Sequence, residues 1–474
     1  MADTAGMKRD VQLVFPRTLH RKLIEHLFPG DFNEHGAVIA AGLAATPAGP
    51  RLLVREVWLA EEPQDYRLGT QGHMGLQATF IHRCITQCRD QRLVYLAVHN
   101  HGGSEQVAFS HVDMASHERG YRALLDIANG MLVGALVVAD EAMEVDVWHP
   151  KGSRSTLRQA RVLGAGIERY YPNRNIRVTA EGESQPITDS YSRQILFLGA
   201  SGQALFERAK VAIIGLGGIG SLLSEYLARL GVGHLVLIDP DRLEASNTSR
   251  VVGSQASDFE TEGANSSLKI DIAERVARQA RPSIRIDKIA DDFSRDEVAR
   301  RVLDCDFLFL AADSMRARLV FNAIVHQYYI PGTQLGTKVR VDPGTGRIDA
   351  AFSVVRTVRP GEGCLLCNQL IDSARLADEW KSDAERKDQH YGANIPNPSV
   401  ITMNAVAAAH AVNDFLFGFT GIRSEEKTLY RRYDHLEQST IYEHPRLDPN
   451  CPECSSAITS RLGSGDARPL PTAQ

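Results

Sequence analysis

The chain has 474 residues, too many for one ordinary core, and its 43% hydrophobic and 23% charged residues exclude a disordered or fibrous protein. A net charge of −5 without any tract of Lys and Arg argues against nucleic acid as the main partner. The N-terminus lacks the apolar segment of a secretory signal, and runs such as MLVGALVVA are too short to cross a bilayer. We therefore expect a cytoplasmic protein without a membrane partner.

Residues 1–150 alternate helical and strand-like segments, which predicts an N-terminal α/β domain. Three segments have a helical pattern: TLHRKLIEHLF, LQATFIHRCITQC and VDMASHERGYRALLDIA. Five runs have the composition of strands: GAVIAAGL, RLLVREVWLA, LVYLAVHNH, MLVGALVVAD and AMEVDVWHP. Residues 151–188 are predicted to be a linker, because the polar, helix-like STLRQARVLGAGIERYY leads into residues that favour turns.

From about residue 189, helices and strands alternate again. The runs AKVAIIG, HLVLID and FLFLAA are typical of the strands of a mainly parallel sheet. We therefore predict a second α/β domain at residues 189–455. Residues 456–474 offer little to pack and are predicted to be a flexible tail.

The segment VHNHGGSEQVAFSHVD places two histidines at the end of a predicted strand. Alternate residues of a strand share a face, so His99 and His101 can reach one ion. Asp113 begins a predicted helix, with Ser110 in a typical N-cap position. Two nitrogens and one carboxylate oxygen suit zinc and leave one coordination position open. A solvated histidine pair beside an N-cap explains the same spacing equally well.

This segment resembles the motif of the JAMM (MPN-plus) metalloproteases, which remove ubiquitin-like proteins: an HxH pair, a serine, and an aspartate shortly after it. The resemblance implies an α/β domain of JAMM type with a catalytic zinc bound by His99, His101 and Asp113. It further implies that Ser110 helps to hold the tetrahedral oxyanion.

The same family has a glutamate just before a small, apolar strand, and NEHGAVIAAG offers Glu34 in that setting. The resemblance implies that Glu34 is the general base, with Glu56 on the next strand as the alternative. Eight residues separate His101 from Ser110, where family members usually have seven, and a glycine pair replaces the usual proline. The position of Ser110 is therefore less constrained by the resemblance than zinc ligation is.

The segment VAIIGLGGIGS places four glycines between a strand and a helix: Gly215, Gly217, Gly218 and Gly220. Such a turn lets backbone amides and the positive helix end approach a phosphate. Asp239, at the end of the strand HLVLID, is placed to bind a ribose hydroxyl, which fits a dehydrogenase as well as an ATP enzyme. Because no GK[ST] follows the glycines, a P-loop is excluded.

Polar residues around this motif help to separate the two alternatives. They are Arg193, Asn247, Arg250, Lys269 and Asp313. Triphosphate chemistry needs cations to neutralise charge and a carboxylate to hold magnesium, whereas a dehydrogenase has no use for either. The set therefore favours ATP.

Together these segments resemble the ThiF/MoeB adenylyltransferases, the ancestors of ubiquitin-activating enzymes, over nearly all of residues 189–455. The interval from Asp313 to Arg318 and Asn322 keeps the family spacing, although the stretch before Lys269 is a few residues longer. The resemblance implies a Rossmann-like adenylation domain that binds ATP and magnesium and acts on a small protein with a C-terminal glycine.

The resemblance also implies individual roles. It assigns the phosphates of ATP to three residues: Asn247, Arg250 and Lys269. Asp239 would bind the ribose, with Asp241 beside it in the nucleotide site, and Asp313 would hold magnesium. Arg193 would reach the phosphates bound by a neighbouring protomer, which implies a homodimer.

Two CxxC pairs supply four thiolates: Cys364, Cys367, Cys451 and Cys454. Such a set predicts a closed, structural zinc site, and the ThiF/MoeB family has the same two pairs. The remaining cysteines are Cys84, Cys88 and Cys305. Enzymes that pass the activated protein to their own thiol carry this thiol in the crossover segment, but the corresponding residues 371–400 contain no cysteine. We therefore expect an enzyme that stops at the acyl-adenylate or gives it to an external acceptor or conjugating enzyme.

These patterns lead to one main hypothesis, a zinc protease fused to an adenylating enzyme. The first domain would trim or detach a ubiquitin-like or sulfur-carrier protein, and the second would adenylate its C-terminal glycine. In the alternative, one half is inactive and serves as a docking module for that partner. A third hypothesis, an NAD-dependent oxidoreductase, rests on the glycines and Asp239 alone.

Overall fold

The computed structural model describes residues 8–31, 33–61, 63–67, 75–173, 189–259, 266–381, 398–423 and 430–473. They form two compact units. The first unit comprises Met1–Glu183, Gln327–Tyr329 and Ser456–Pro469, and the second comprises Ser184–His326, Ile330–Ser455 and Leu470–Gln474. Within the described ranges, none of the helices combines the length and the hydropathy that crossing a membrane requires.

The first unit is built on an eight-stranded mixed sheet. Its strands are β1 (Lys8–Pro16), β2 (Gly36–Thr46), β3 (Gly49–Leu59), β4 (Val94–Asn100), β5 (Val133–Val138), β6 (Met143–Trp148), β7 (Arg154–Leu163) and β8 (Ile167–Tyr170). The strand order is β1-β3-β2-β4-β5-β6-β7-β8, and β1 also pairs with β7. The pairings of the first seven strands therefore form a closed ring.

Three helices accompany this sheet, and all three were predicted. They are α1 (Arg17–Leu27), α2 (Ala78–Gln91) and α3 (His111–Ala128). The side chains of β4 alternate between two hydrophobic clusters: Leu96 packs with Leu23 of α1, whereas Tyr95 packs with residues of α2 and α3. By the same alternation, His99 lies on the face of β4 that bears Tyr95.

The predicted linker is wrong in its first half, because residues 154–170 form β7 and β8. The segment STLRQARVLGAGIERYY was interpreted as helix-like, but the side chains of Leu157, Ala160 and Val162 belong to the sheet core. Strand β7 runs parallel to β1 from Ser155 to Leu163. This long-range pairing decides the structure over the local pattern. The rest of the predicted linker, residues 174–188, lies outside the described residues.

The predicted flexible tail is also wrong for residues 456–469, which pack within the first unit. The buried guanidinium of Arg55 donates hydrogen bonds to the carbonyl oxygens of Ala457 and Ile458 over 2.8 and 2.7 Å. Asp466 accepts a hydrogen bond from the backbone N–H of Ala45 over 2.7 Å. Backbone hydrogen bonds and a buried arginine hold a segment that is poor in apolar residues.

The second unit contains the other eight-stranded sheet. Its strands are β9 (Lys210–Ile214), β10 (His234–Ile238), β11 (Arg285–Ile289), β12 (Phe307–Leu310), β13 (Gly332–Val341), β14 (Ile348–Val358), β15 (Tyr430–Asp434) and β16 (Ser439–Glu443). The order is β11-β10-β9-β12-β13-β14-β15-β16. Strands β9 to β13 pair in parallel, and β13 to β16 pair antiparallel. The sheet that was predicted to be mainly parallel is therefore mixed, with a parallel part from β11 to β13 and an antiparallel part from β13 to β16.

Seven α-helices of the chain follow residue 189 in the described ranges. They are α4 (Ser192–Arg208), α5 (Gly218–Leu230), α6 (Lys269–Ala280), α7 (Asp296–Ala299), α8 (Met315–Tyr328), α9 (Ser373–Glu379) and α10 (Ile401–Phe419). Helices α5, α6 and α8 begin after β9, β10 and β12 respectively, so their N-termini lie at the carboxyl edge of the parallel strands. This edge is where open α/β sheets bind ligands.

Candidate functional site

The glycine-rich turn between β9 and α5 is shaped by close backbone contacts. Gly215 has a φ of +89°, and a Cβ atom there would lie 2.7 Å from the backbone nitrogen of Ala312. A Cβ atom at Gly220 would overlap the carbonyl oxygen of Gly215. The carbonyl oxygen of Ile214 accepts hydrogen bonds from Ala311 and Ala312 over 2.8 and 3.0 Å. The exposed residue Asp313 therefore follows directly on a segment that is packed against the turn.

Asp239, at the end of β10, is tied to the same turn. The residue is 5% exposed, and its carboxylate accepts hydrogen bonds from the backbone N–H groups of Leu216 and Asp241 over 2.5 and 2.8 Å. Burial raises the pKa of Asp239, and the positive charge of Lys269 acts in the opposite direction. Lys269 is the first residue of α6, and its Nζ lies 2.7 Å from a carboxylate oxygen of Asp241. The structure thus brings Asp239, Asp241 and Lys269 together beside the glycines.

Arg250 lies next to the N-terminus of α5. A Cβ atom at Gly218 would approach the side chain of Arg250 to 3.3 Å, and Arg250 donates a hydrogen bond to the carbonyl oxygen of Ser246 over 2.7 Å. Asn247 is buried, with its amide nitrogen 3.1 Å from the hydroxyl of Ser246. Two predicted phosphate ligands therefore belong to one short segment beside the turn.

Asn404 is a residue that the sequence analysis missed. It is 1% exposed, its amide nitrogen faces Gly218, and its amide oxygen accepts a hydrogen bond from the hydroxyl of Thr337 over 2.8 Å. The one available signal was an asparagine in ITMNAVAAAHAV, a segment of otherwise apolar character.

Arg193 stands apart from these residues in the described part of the chain. It is exposed in the first turn of α4, and its side chain makes neither a hydrogen bond nor an ion pair with another described residue. On the same helix, the side chains of Leu196 and Phe197 are 88% and 59% exposed. The N-terminal part of α4 is thus an unusually apolar stretch of surface.

Four cysteines of the second unit form a cluster with the geometry of a zinc site. The Sγ atom of Cys364 lies 3.6 Å from that of Cys367 and 3.7 Å from that of Cys451, and Cys367 lies 3.5 Å from Cys454. A tetrahedron with Zn–S bonds of about 2.3 Å has sulfur atoms roughly 3.8 Å apart. Hydrogen bonds with the other thiols lower the pKa of Cys364 to about 6, and the bond with Cys454 has the largest effect. The four residues therefore fit Zn²⁺.

The model of the ThiF family matches residues 191–456, which are more than half of the chain. The chain belongs to the ThiF family. This assignment covers the glycine-rich turn, the residues around it and all four clustered cysteines. The match begins after the described strands of the first unit, β1 to β8.

Curated relatives of this ThiF-family chain include three adenylyltransferases or activating enzymes. The sulfur carrier protein ThiS adenylyltransferase of Bacillus subtilis is 27% identical over 275 residues, which cover 57% of this chain and 72% of the relative. The SAMP-activating enzyme E1 of Haloferax volcanii is 30% identical over 145 residues, 30% of this chain and 52% of the relative. The molybdopterin-synthase adenylyltransferase of Escherichia coli is 28% identical over 179 residues, 37% and 66% respectively. The chain thus spans between 52% and 72% of the length of these relatives.

Solved structures similar to this ThiF-family chain include Escherichia coli MccB crystallised with succinimide. It is 23% identical, with a TM-score of 0.43, over 57% of this chain and 75% of MccB.

The first unit of the ThiF-family chain contains a second candidate metal site, at the end of β4 and the start of α3. The Nε2 atoms of His99 and His101 lie 3.1 Å apart. Carboxylate oxygens of Asp113 lie 3.6 Å from Nε2 of His99 and 3.4 Å from Nε2 of His101. Ligands about 2.1 Å from a tetrahedral zinc ion have such separations, so these residues fit Zn²⁺.

Hydrogen bonds fix the orientation of this cluster. Ser110 forms the predicted N-cap of α3: its hydroxyl accepts from the backbone N–H of Asp113 over 3.1 Å and donates to the Asp113 carboxylate over 2.7 Å. Burial alone would raise the pKa of Asp113, but contacts with His101 and His99 outweigh it and hold this pKa well below its usual range. The same contact with Asp113 raises the pKa of His101.

The two candidate general bases differ in position. Oε1 of Glu34 lies 3.8 Å from Nε2 of His101, whereas Glu56 lies within β3 opposite Ala40. The geometry therefore favours Glu34. His117, one helical turn after Asp113, was not among the predicted residues. Its buried Nδ1 lies 2.7 Å from a carboxylate oxygen of Asp146.

Proposed function

We propose that the second unit uses MgATP to adenylate the C-terminal carboxylate of a small ubiquitin-like or sulfur-carrier protein. The observation that carries this proposal is the packing of the Gly215 turn against Ala311 and Ala312, which puts Asp313 beside the turn in a chain of the ThiF family. The names of the relatives support the same class of substrate, because they include an adenylyltransferase of the sulfur carrier protein ThiS and a SAMP-activating enzyme. An NAD-dependent oxidoreductase would not need the cations around this turn.

Groups at the carboxyl edge of the parallel strands would each bind a different part of MgATP. The backbone amides of the turn and the N-terminus of α5 favour the negative phosphates. Arg250 and Lys269 would neutralise further phosphate charge, with Asn247 as a neutral donor. Asp239, already fixed by two backbone N–H groups, would bind the ribose. Asp313, exposed beside the turn, would hold magnesium.

The reaction is a substitution at the α-phosphorus of ATP. A carboxylate oxygen of the terminal glycine forms a bond to this phosphorus, and the bond from the phosphorus to the oxygen of the leaving pyrophosphate breaks. Both charged products stay near the cations, which stabilise negative charge as it moves to pyrophosphate. No protein nucleophile takes part in this step, so alignment of the two substrates lowers the barrier.

The adenylate is then used without a cysteine from the crossover segment. Residues 371–400 contain no cysteine, and Cys84, Cys88 and Cys305 are buried. Burial raises the pKa of Cys84 to about 11, which disfavours the thiolate that a nucleophile needs. We therefore propose that the acyl-adenylate is passed to an external acceptor. Of the crossover segment, residues 382–397 lie outside the described residues.

ATP–pyrophosphate exchange tests the adenylation. Exchange should require one of a panel of ubiquitin-like and sulfur-carrier proteins ending in Gly-Gly, ThiS among them. Asp313→Ala should reduce exchange by at least about 100-fold, because it removes a group that neutralises charge in the transition state. Asp349→Ala, at a partly exposed carboxylate of β14, is the matched control and should exchange normally. Exchange that survives Asp313→Ala would overturn the proposal.

A homodimer is proposed because Arg193 is exposed on α4 beside two exposed apolar side chains. If Arg193 acts on the phosphates of the partner protomer, Arg193→Ala and Asp313→Ala should each be inactive alone. A mixture of the two variants should regain exchange, because a mixed dimer contains one site with both residues intact. A mixture that stays inactive after subunit exchange would contradict action across the dimer.

We propose a second function for the first unit, trimming or detachment of the same partner by a zinc hydrolase of JAMM type. The supporting observation is the close approach of His99, His101 and Asp113, with Glu34 beside them. Zinc held by these residues would supply a Lewis acid that lowers the pKa of water. Glu34 would accept a proton, and Ser110, which donates a hydrogen bond to the Asp113 carboxylate, would hold this ligand in position.

Cleavage of a carrier protein extended beyond its Gly-Gly tests the second function. His101→Ala should abolish cleavage and remove one zinc ion per chain. His82→Ala, at an exposed histidine of α2, should change neither and serves as the control. Cleavage that persists in His101→Ala would exclude the metal centre. A wild-type protein that binds the carrier through the first unit without cleaving it would instead support the docking module.

A further inference from the structure

Three arginines of the second unit form a group that the proposed nucleotide site does not use. Arg318 lies on α8, Arg356 on β14 and Arg432 on β15. Each side chain is partly buried. Among the described residues, none of the three has a carboxylate oxygen within 4.0 Å. The group therefore carries positive charge without a matching ion pair in the described part of the chain.

Strand pairing brings two of these arginines to one face of the sheet. Arg432 stands directly opposite Val354, and Arg356 is two residues further along the same strand. Residues that face each other across two strands, and alternate residues of one strand, share a face. The guanidinium of Arg432 lies 5.5 Å from the ring centre of Phe352, which is on this face as well. Arg356 and Arg432 thus project on the same side of the antiparallel part of the sheet.

The three guanidinium groups have few partners. Arg356 donates a hydrogen bond to the amide oxygen of Gln334 over 2.7 Å, and Arg318 donates to the carbonyl oxygen of Leu370 over 3.0 Å. The Nε atoms of Arg318 and Arg432 are buried and have no hydrogen-bond partner among the described residues. A buried charged donor without an acceptor is costly, and an anion would relieve that cost.

The surroundings favour a negative ligand. Burial lowers the pKa of Arg356, and the like charges of Arg318 and Arg432 lower it further. Tyr430 and Glu443 act in the opposite direction without forming an ion pair at short range. Guanidinium groups bind carboxylates in a bidentate geometry, which suits a carboxylate side chain better than a neutral one.

One member of the group, Arg318, also lies close to the proposed site of chemistry. Arg318 follows Asp313 by five residues, and the negative charge of Asp313 acts on the guanidinium of Arg318. An extended peptide rises about 3.3 Å per residue. A partner whose terminal glycine reaches Asp313 can therefore place a residue a few positions earlier in the chain near the arginines.

We propose that Arg318, Arg356 and Arg432 bind an acidic side chain located shortly before the terminal glycine of the protein that the second unit adenylates. The inference rests on the proposed adenylation and narrows its substrate class to carriers with an acidic C-terminal tail. The arginines act as positioning residues, since they hold the tail rather than the reacting atoms.

Binding of short synthetic peptides to the full-length protein, measured by calorimetry without ATP, tests the site. Each peptide ends in Gly-Gly and has a glutamate at one of the preceding positions, and a matched peptide has glutamine there. The best glutamate peptide should bind roughly 10-fold more tightly than its glutamine counterpart, the effect expected for charge-assisted hydrogen bonds. Arg356→Gln and Arg432→Gln should each remove this preference, whereas Arg356→Lys should retain part of it.

Arg347→Gln is the matched control, because Arg347 is an exposed arginine between β13 and β14, directly before the strand that contains Arg356. It should leave the preference intact, and circular dichroism should show all variants folded. Equal binding of glutamate and glutamine peptides, absence of peptide binding, or a preference that survives Arg356→Gln would overturn the proposal. If inorganic pyrophosphate binds to the arginines and glutamate peptides do not displace it, the arginines bind this product of adenylation. That result would also overturn the proposal. The preference is measured without ATP, so failed exchange would count against adenylation alone.

Discussion

The two clusters of metal-ligating side chains differ in ligand type, ligand number and burial. Four thiols form the cluster of the second unit, and Cys364, Cys451 and Cys454 are buried. Two imidazoles and one carboxylate form the cluster of the first unit, and all three are only partly buried. Four protein ligands close the coordination shell of zinc, whereas three leave a position for reacting groups. We therefore predict that zinc bound by the four thiols would stabilise the second unit, whereas zinc bound by the two imidazoles and the carboxylate would take part in a reaction.

The largest expected effect is on stability, from Cys364→Ser. Loss of one thiolate should release the zinc of the second unit. Because the free energy of binding a structural zinc ion contributes directly to the stability of the folded state, its release should destabilise the unit. We expect the free energy of unfolding of the second unit to fall by more than about 5 kcal/mol. Hydrogen exchange read by mass spectrometry, together with zinc content per chain, measures both consequences in the full-length protein.

Cys305→Ser is the control for that variant, since Cys305 is a fully buried cysteine of the same unit outside the cluster. It should retain zinc and cost no more than about 1–3 kcal/mol, because a buried site that accommodates a thiol suits a more polar hydroxyl less well. A Cys364→Ser protein that keeps its zinc, or that is no less stable than Cys305→Ser, would contradict a structural metal site.

The next effect concerns acid stability of the second unit through His326. Both of its ring nitrogens are buried without a hydrogen-bond partner among the described residues, and burial lowers its pKa to about 3. The unfolded state binds a proton below pH 6.5, so stability should fall as the pH drops from 6.5 through 3, by about 4 kcal/mol from this group. Denaturant unfolding of His326→Leu should show a shallower loss. Equal pH dependence in both proteins would refute this role.

In the first unit, Glu144 should act in the opposite direction. Its carboxyl group accepts hydrogen bonds from Val145 and Leu157, but burial dominates and raises its pKa to about 7. Glu144 contributes fully to the free energy of unfolding below about pH 4.5. As the pH rises through 7, this contribution of about 3 kcal/mol is lost. The buried His20, with its pKa lowered to about 4, opposes this trend at acid pH. The difference between wild type and Glu144→Gln isolates Glu144, and a difference independent of pH would contradict the assignment.

The fold was predictable from the sequence where local patterns and tertiary packing agree. Helices α1, α2 and α3 have amphipathic sequences, and each is present. Strand β7 was missed because its stability comes from pairing with β1, a contact between segments more than 140 residues apart. The packing of residues 456–469 was missed because it depends on hydrogen bonds from Arg55, which lies about 400 residues earlier in the chain.

The candidate sites show the same division. The alternation of a strand is enough to place His99 beside His101, and two CxxC pairs are enough to suggest a four-thiol cluster. Asn404 was missed because its contact with Gly218 joins two segments that are far apart in the sequence. The pairing of His117 with Asp146 depends in the same way on the approach of α3 to β6. Spacing within one element is readable, whereas partners from distant elements are not.

The smallest effect on stability is expected from His99→Ala, which tests whether the metal of the first unit is structural. The variant should lose one zinc ion per chain, as Cys364→Ser does. When zinc is removed from both the wild type and His99→Ala, the free energy of unfolding of the first unit should differ between them by no more than about 1 kcal/mol. The reason is that a partly exposed contact between His99 and Asp113 contributes little to stability. Hydrogen exchange should show the first unit still folded. If it unfolds in His99→Ala as the second unit does in Cys364→Ser, the metal of the first unit is structural, and the proposed hydrolase loses its physical basis.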